Sequence, residues 1–517
     1  MNRKYMYRGI IASSGTVLDT AFVLLIAFAL LFTTACQPAE ETRFDAEPEV
    51  RVLLINTLDE FALTAPGPVT ITDQSTGAAI DSDTGIADPD IRDEVREDAH
   101  AAPTPLVFRL DGDAVTVTRG GKELIAGRWL TVATDTEFTI ADVPYGINWW
   151  WGGTEDRIYE GELHVHVNGD GDLEAVLHLP MEEYLKGVIP YEIGPDSPLQ
   201  ALMAQAVAAR AEIVQTLLTG KYQGEHHDVC AEVECQVFAG NHRRTARSDS
   251  AVTLTRGEVL MYGAEVIDAY YASNCGGMSE RVEKVWPWRG GPKPYLVALP
   301  DTDRREYYRA TNMRETGGRE TGSGETELVT ENREPGQSDQ PGERGHAHAY
   351  ESGRASAGGM ELIDPQADIV AWLDNPPESW CNPYIHTQLP EWSKANFRWE
   401  RRVANDEFEP EFRGLDSLEI VERGESGRLH RIRAWRYGQA QELDYELAIR
   451  QMIHPPLRSS AFTWSREDND WLFRGAGWGH GVGMCQSGAI SQAWQGYGYD
   501  RILRHYFPGT RLERLYD

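Results

Sequence analysis

EEYLKGVIPYEIGPDSPLQALMAQAVAARAEIV, residues 182–214, is the stretch on which the fold turns. Its second half predicts a helix. Ser197 suits the N-cap, Pro198 the first helical position and Gln200 the reciprocal place of a capping box. Leu199, Leu202, Met203, Ala206, Val207, Ile213 and Leu217 then recur at helical spacing, and Gly220 fits the C-terminal stop. Such a helix runs for about five turns and is apolar enough to be buried. Gln205 and Arg210 stand about 140° apart around it, so they need not share a face.

Outward from this helix the pattern is β. Upstream, RVLLI (from Arg51), PVTIT, PLVFRL, DAVTVT and RWLTVA are short alternating runs separated by Gly, Asp and Pro. RIYEGELHVHVNGDGDLEAVLHLP (157–180) continues them, with Asn168-Gly169-Asp170-Gly171 as a hairpin turn that falls short of a calcium loop. Downstream, EVLMYG and VIDAYYASN read as paired strands. The fold class is therefore α+β, a β-rich N-terminal region packed with a mixed core around the Ser197 helix. From 302 to 359 the chain turns to Gly, Glu, Arg and Ser with few large apolar residues, which cannot bury enough surface to offset its ordering entropy. That stretch predicts a disordered insertion within one domain, because strand-like patterning resumes near Phe397. His346 and His348 inside it are read as idle. The expected division is an export segment (1–35), a polar tether (36–50), the first part of the folded domain (51–301), the insertion (302–359) and the second part (360–517).

The N-terminus sets the compartment. Arg3, Lys4 and Arg8 precede AFVLLIAFALLF (21–32), shorter than the ~20 residues a membrane span needs, and small residues follow. This describes an export signal. Cys36 stands just after the junction and resembles the lipidated cysteine of a bacterial lipobox, which implies membrane attachment through a lipid; ordinary cleavage with Cys36 incidental is the alternative. The mature chain is expected outside the cytoplasm, in the periplasm or cell envelope. Five further cysteines are too few for a disulfide scaffold, so any pairing or metal site should be local. A net charge of −32 argues against nucleic acid as a partner. Residues 81–98 hold eight of the acids against two arginines, so the acidity says little about substrate.

Four segments carry chemistry: 182–214, CAEVECQVFAG (230–240), YYASNCGGMSERVEKVW (270–286) and FRGAGWGHGVGMCQSGAISQAWQGYGYDRILRHYFPGT (473–510). In order and content they resemble the stage II sporulation protein D / amidase-enhancer (SpoIID/LytB) family, from the strands near Arg51 to the C-terminus, the insertion excepted. The blocks EYL-GV---E with AQAVAAR, and GWGHGVGM-Q-GA, are the specific ones. The resemblance implies a SpoIID-like core that cleaves peptidoglycan glycan strands between N-acetylmuramic acid and N-acetylglucosamine, leaving a 1,6-anhydro sugar, with no cofactor needed for catalysis. It places the catalytic acid/base on Glu192, among Pro190, Tyr191 and Ile193, whose apolar character would raise a carboxyl pKa. From the residues alone, Glu192 reads as well as a loop carboxylate bonded to backbone donors. Gln205, Arg210, Ser273, Gly276, Gly277, His480 and Gln486 are the expected substrate-binding residues. The chain departs from the family at Met203 (commonly Lys), Ala211 (commonly Thr) and Cys485 (commonly Ser). A non-catalytic peptidoglycan-binding activator of a cell-wall amidase is therefore kept as the alternative.

Some relatives hold a structural zinc near the second segment. Here His226, His227, Cys230 and Cys235 supply ligand types for a tetrahedral ion, with Cys275 a further candidate. A disulfide of Cys230 with Cys235, or of either with Cys275, and free thiols remain the other readings. A catalytic zinc is disfavoured because no H-E-x-x-H occurs. The glycine-rich 475–483 loop lacks a Gly-Lys-Ser/Thr ending, and a Cys485–His480 nucleophile pair lacks a third group. Trp149–Trp151 and Trp286-Pro287-Trp288 are read mostly as core.

Overall fold

The computed structural model describes residues 43–81, 104–147, 149, 152–303 and 363–517. The export segment, Cys36, the tether as far as residue 42, the acidic tract from 82 onward, the insertion from 304 onward with His346 and His348, and Trp150 and Trp151 lie outside the described residues. Among the described residues no helix is long and apolar enough to cross a membrane.

The architecture is α+β. Short alternating runs become strands because every second side chain can reach a common core, as in Ala114–Arg119, where Val115 and Val117 are buried. One seven-stranded sheet has the order Val229–Cys230, Glu49–Ile55, Leu173–Pro180, Glu162–Val167, Trp129–Ala133, Thr70–Asp73, Ala79–Asp81. All its pairs are antiparallel except the first, where Cys230 lies parallel beside Leu53. A six-stranded antiparallel sheet runs Gly153–Tyr159, Phe138–Tyr145, Glu60–Thr64, Leu106–Asp111, Ala114–Arg119, Lys122–Gly127. The expected turn at Asn168–Gly171 joins two adjacent strands of the first sheet, with Gly171 at φ 90°.

The sheet hands directly into two helices, α1 (Met181–Glu192) and α2 (Leu199–Thr219). Tyr184, Leu185, Val188 and Ile189 bury one face of α1. Pro190 lacks the N–H that would continue the ladder, and the helix stops two residues later. α2 ends at Gly220 in the left-handed conformation, φ 60°, as its sequence predicts. Its start differs from expectation. Pro198 takes the cap position without a side-chain cap, while the Ser197 hydroxyl donates to the Ile193 carbonyl (2.7 Å) at the end of α1. Gln200 accepts from the Tyr499 amide (2.9 Å), so no capping box forms. The two helix ends are thus stitched to each other, which fixes Glu192.

One hydrophobic core takes in both sheets, α1, α2 and residues 381–397 and 482–516, so chain from both sides of residues 304–362 builds it. A second core, from Trp399 to Phe473, lies under two three-stranded sheets. The expected pairing of EVLMYG with VIDAYYASN forms only in part. Glu258–Tyr262 pairs with Glu265–Val266, but Tyr271–Ala272 runs parallel to Met484–Cys485. That crossing sets the helix that begins at Gln486 against α2.

Candidate functional site

Glu192 is the last residue of α1, where the helix presents its negative end. One carboxylate oxygen accepts from the Val237 amide (2.8 Å); the other faces the Gln486 side-chain amide at 3.4 Å. Part of the residue's surface is open, but the carboxyl itself sits deep. Burial raises its pKa to about 7, and the two donors offset only part of that rise. The Val237 donor is held on all sides: Gln236 donates to the Ala209 carbonyl (3.1 Å), buried Arg157 to the Phe238 carbonyl (3.2 Å), and the Phe238 ring stacks on Tyr184 (centroids 5.2 Å).

Gln486 begins the helix α3 (Gln486–Trp494) and its amide also donates to Gln205 of α2 (3.3 Å). Gln205 is fully buried and lies beside the Tyr271 hydroxyl. Glu192, Gln205 and Gln486, distant in sequence, therefore form one connected group. Glu212 joins it unannounced. Its carboxyl is raised to about 8, first by burial and then by the charge of Glu192, with Arg289 working against the rise. At seven residues beyond Gln205 it returns to within about 20° of the same helix face, a signal the sequence did contain. Both carboxyls are substantially protonated near neutral pH.

His480 packs against Trp286 (ring centroids 4.7 Å) and accepts the Val482 amide on Nδ1 (3.0 Å). Burial, then the charges of Arg428 and Arg450, push its pKa down to about 3, so the imidazole is neutral. Trp286 also carries the Arg289 guanidinium over its ring (4.8 Å).

Other expected residues are engaged elsewhere. Arg210 is fully buried, gripping Glu182 of α1 with Nε (2.9 Å) and Nη2 (2.7 Å) and donating Nη1 to the Glu258 carbonyl (3.0 Å). Its donors are spent on holding the helices together, and it does not join the Glu192 group. Ser273 accepts from Asn396 on its hydroxyl (3.3 Å), and its carbonyl accepts from both the amide (3.1 Å) and the hydroxyl (2.8 Å) of Ser487, anchoring α3. Gly276 and Gly277 have φ of 78° and 112°, and a Cβ on them would meet Ala476 at 3.0 Å and Pro377 at 2.8 Å. Their bareness admits other protein chain at these points.

The five proposed zinc ligands do not gather. His226 stacks edge-on with Trp129 and His166, and His227 leans on Tyr222. Cys230 and Cys235 remain as a pair of free thiols, Sγ to Sγ 2.8 Å, with the Tyr222 hydroxyl 3.1 Å from Cys235. Hydrogen bonding from Cys230 lowers the Cys235 thiol to about 6. A surface hollow lined by Arg51, Tyr222 and Asp228 flanks this segment and does not include Glu192. Cys275 belongs to another cluster, with Asp301, Cys381 and Cys485, all buried and able to hold a metal ion. Sequence reading missed it because Asp301 and Cys381 stand on opposite sides of the predicted insertion.

The family model described as Stage II sporulation protein (SpoIID) matches residues 169–262, and one for a domain of unknown function (DUF8618) matches residues 385–483. An uncharacterized protein of Brachyspira hyodysenteriae is 25% identical over 68% of this chain and 72% of its own length. A Bacillus subtilis protein named amidase enhancer is 25% identical over 63% of this chain, and the B. subtilis stage II sporulation protein D is 28% identical over 27%. The matches cover 40% and 44% of those two relatives, so the chain spans less than half of each. The stretch that matches the Stage II sporulation protein model thus contains both Glu192 and the AQAVAAR block, the residues that carry the resemblance.

Proposed function

We propose that this protein is a peptidoglycan lytic transglycosylase acting on glycan strands, denuded ones foremost, with Glu192 as its acid and then its base. The observation that carries the reading is the raised Glu192 carboxyl, held near 7 in a group with Gln205 and Gln486. A carboxylic acid still protonated near neutral pH can protonate a leaving glycosidic oxygen. As that proton moves, the bond from muramic acid C1 to the leaving O4 breaks. The muramic acid O6 hydroxyl then bonds to C1, and its proton returns to the Glu192 carboxylate, leaving a 1,6-anhydro end. No second ionised carboxylate is required, and Glu212, protonated to about pH 8, supplies none at neutrality. One acid/base contributes about 10²–10⁴-fold, so the rest must come from orientation of the sugar.

Denuded glycan strands incubated with the wild type should yield anhydro-muramic ends by mass spectrometry, and Glu192→Gln should yield none. Absence of product from the wild type would sink the enzymatic reading. The name of the amidase-enhancer relative supports a second reading, a non-catalytic activator. It predicts that a cell-wall amidase is stimulated equally by wild type and Glu192→Gln.

A further inference from the structure

Four ionisable side chains from four separate segments meet in the core beside α3. Cys275 follows the Tyr271–Ala272 strand, Asp301 precedes residue 304, Cys381 follows residue 362, and Cys485 immediately precedes α3. Their exposures are 3%, 2%, 0% and 1%. Their ligand atoms all lie within 4.8 Å of one another.

The separations discriminate between uses. The Cys275 and Cys381 sulfurs are 3.7 Å apart, where a disulfide needs about 2.05 Å. Two thiolates at ~2.3 Å from one tetrahedral zinc are separated by about 3.8 Å. The surroundings orient the donors as a ligand shell does. Asp301 accepts from the Tyr506 hydroxyl (2.7 Å) and the Cys381 amide (2.9 Å), with His505 at 3.8 Å; the Cys485 sulfur accepts from the Cys275 amide (3.2 Å). Two arginines sit close by, half-buried Arg398 donating to the Gly276 carbonyl (2.8 Å) and buried Arg428 to the Cys275 carbonyl (3.4 Å), and they offset the excess negative charge of such a site.

We propose that Cys275, Asp301, Cys381 and Cys485 bind a structural zinc ion, distinct from the Cys230–Cys235 pair. Three thiolates favour zinc over magnesium or calcium, and four protein ligands in a buried pocket leave no open position for catalysis. Binding releases the thiol protons and closes the coordination shell. The ion ties the chain on both sides of residues 304–362 to the loop that ends in Gln486, the residue whose amide reaches Glu192. The site stands independently of the reading of Glu192.

The test is elemental analysis of the purified full chain with two variants. Zinc should be near one per chain in the wild type, unchanged in Cys230→Ser/Cys235→Ser, and lost in Cys381→Ser. Should Cys381→Ser fail to fold, cobalt(II) exchanged into the Cys230→Ser/Cys235→Ser protein carries the test. It should show the intense visible bands of tetrahedral cobalt and thiolate-to-cobalt charge transfer, and a chelator should lower the melting temperature. The proposal is overturned if the wild type binds neither metal. Zinc that disappears with Cys230 and Cys235 but survives Cys381→Ser overturns it too, as does a disulfide mapped among Cys275, Cys381 and Cys485.

Discussion

A carboxyl that loses its hydration at the negative end of a helix keeps its proton beyond the usual carboxylate range, and Glu192 does so at about 7. Its anion is stabilised by the Val237 amide at 2.8 Å and, more weakly, by Gln486 at 3.4 Å. If the protonated form is the catalyst, kcat/KM on glycan strands should fall as pH rises through about 7. Gln486→Ala removes a donor that favours the anion, so the alkaline limb should move upward, by a fraction of a pH unit, while the rate drops. Kinetics from pH 5 to 9 check both; a limb that stays put would mean Gln486 does not touch the ionised form. His480, already neutral with its pKa near 3, should leave no mark on the profile in that range.

At the scale of elements, α1 and α2 are joined by a buried ion pair, Arg210 with Glu182, which also accepts from Tyr516 (2.5 Å). Truncating one partner leaves the other charge buried, so Arg210→Ala should cost about 3–5 kcal/mol, read from the urea midpoint. A sugar-holding arginine would instead cost activity at little loss of stability. Gly187 of α1 gives a second case. Alanine there should gain about 1 kcal/mol of helix propensity, but its Cβ would stand 2.5 Å from the Phe238 ring. Overpacking of about 1–3 kcal/mol should win. Because Phe238 adjoins the Val237 donor, Gly187→Ala should also slow glycan cleavage, and an unchanged rate with lowered stability would uncouple the two. The same residues explain what the sequence could disclose. α2 was legible because leucine and alanine recur at helical spacing up to a glycine stop. α1 was not, since Gly187 and Pro190 interrupt its pattern and only tertiary packing compensates. Glu192, Gln205 and Gln486 could be named from motifs, but their grouping depends on a strand crossing that pairs Tyr271–Ala272 with Met484–Cys485, which no local pattern encodes. Arg210 looked like its neighbours in the motif, and the 140° between it and Gln205 is what sends it to Glu182 instead.

The whole molecule sums carboxyls displaced in opposite directions, and each leaves its own mark on how stability depends on pH. For Glu182 and Glu280, burial works to raise the pKa but partners prevail, Arg210 for the first and His430 for the second, and both are held below the usual value. They stabilise the fold above their unfolded pKa, and this is lost as pH falls through the folded one. Glu192 and Glu212 act with the reverse sign. Between about 4.5 and 7 for Glu192, and up to about 8 for Glu212, the folded chain keeps protons that the unfolded chain has released. The contribution of these two carboxyls therefore falls as pH rises through that window and levels off above it. For Glu192 alone this amounts to about 3 kcal/mol. Self-repulsion in a chain of net charge −32 at pH 7 pushes the same way. His480, buried neutral with its pKa near 3, works the other way below about 6.5, so the share due to Glu192 is read from a variant rather than from the wild-type curve alone. Glu192→Gln cannot ionise, so it should match the wild type near pH 4.5, draw ahead as pH rises to about 7, and keep a constant lead beyond. Thermal melts of the two proteins at intervals from pH 4 to 9 decide the matter. Parallel curves would mean that Glu192 ionises in the fold as easily as in water, and the carboxyl would then lack the raised pKa on which its proposed chemistry depends.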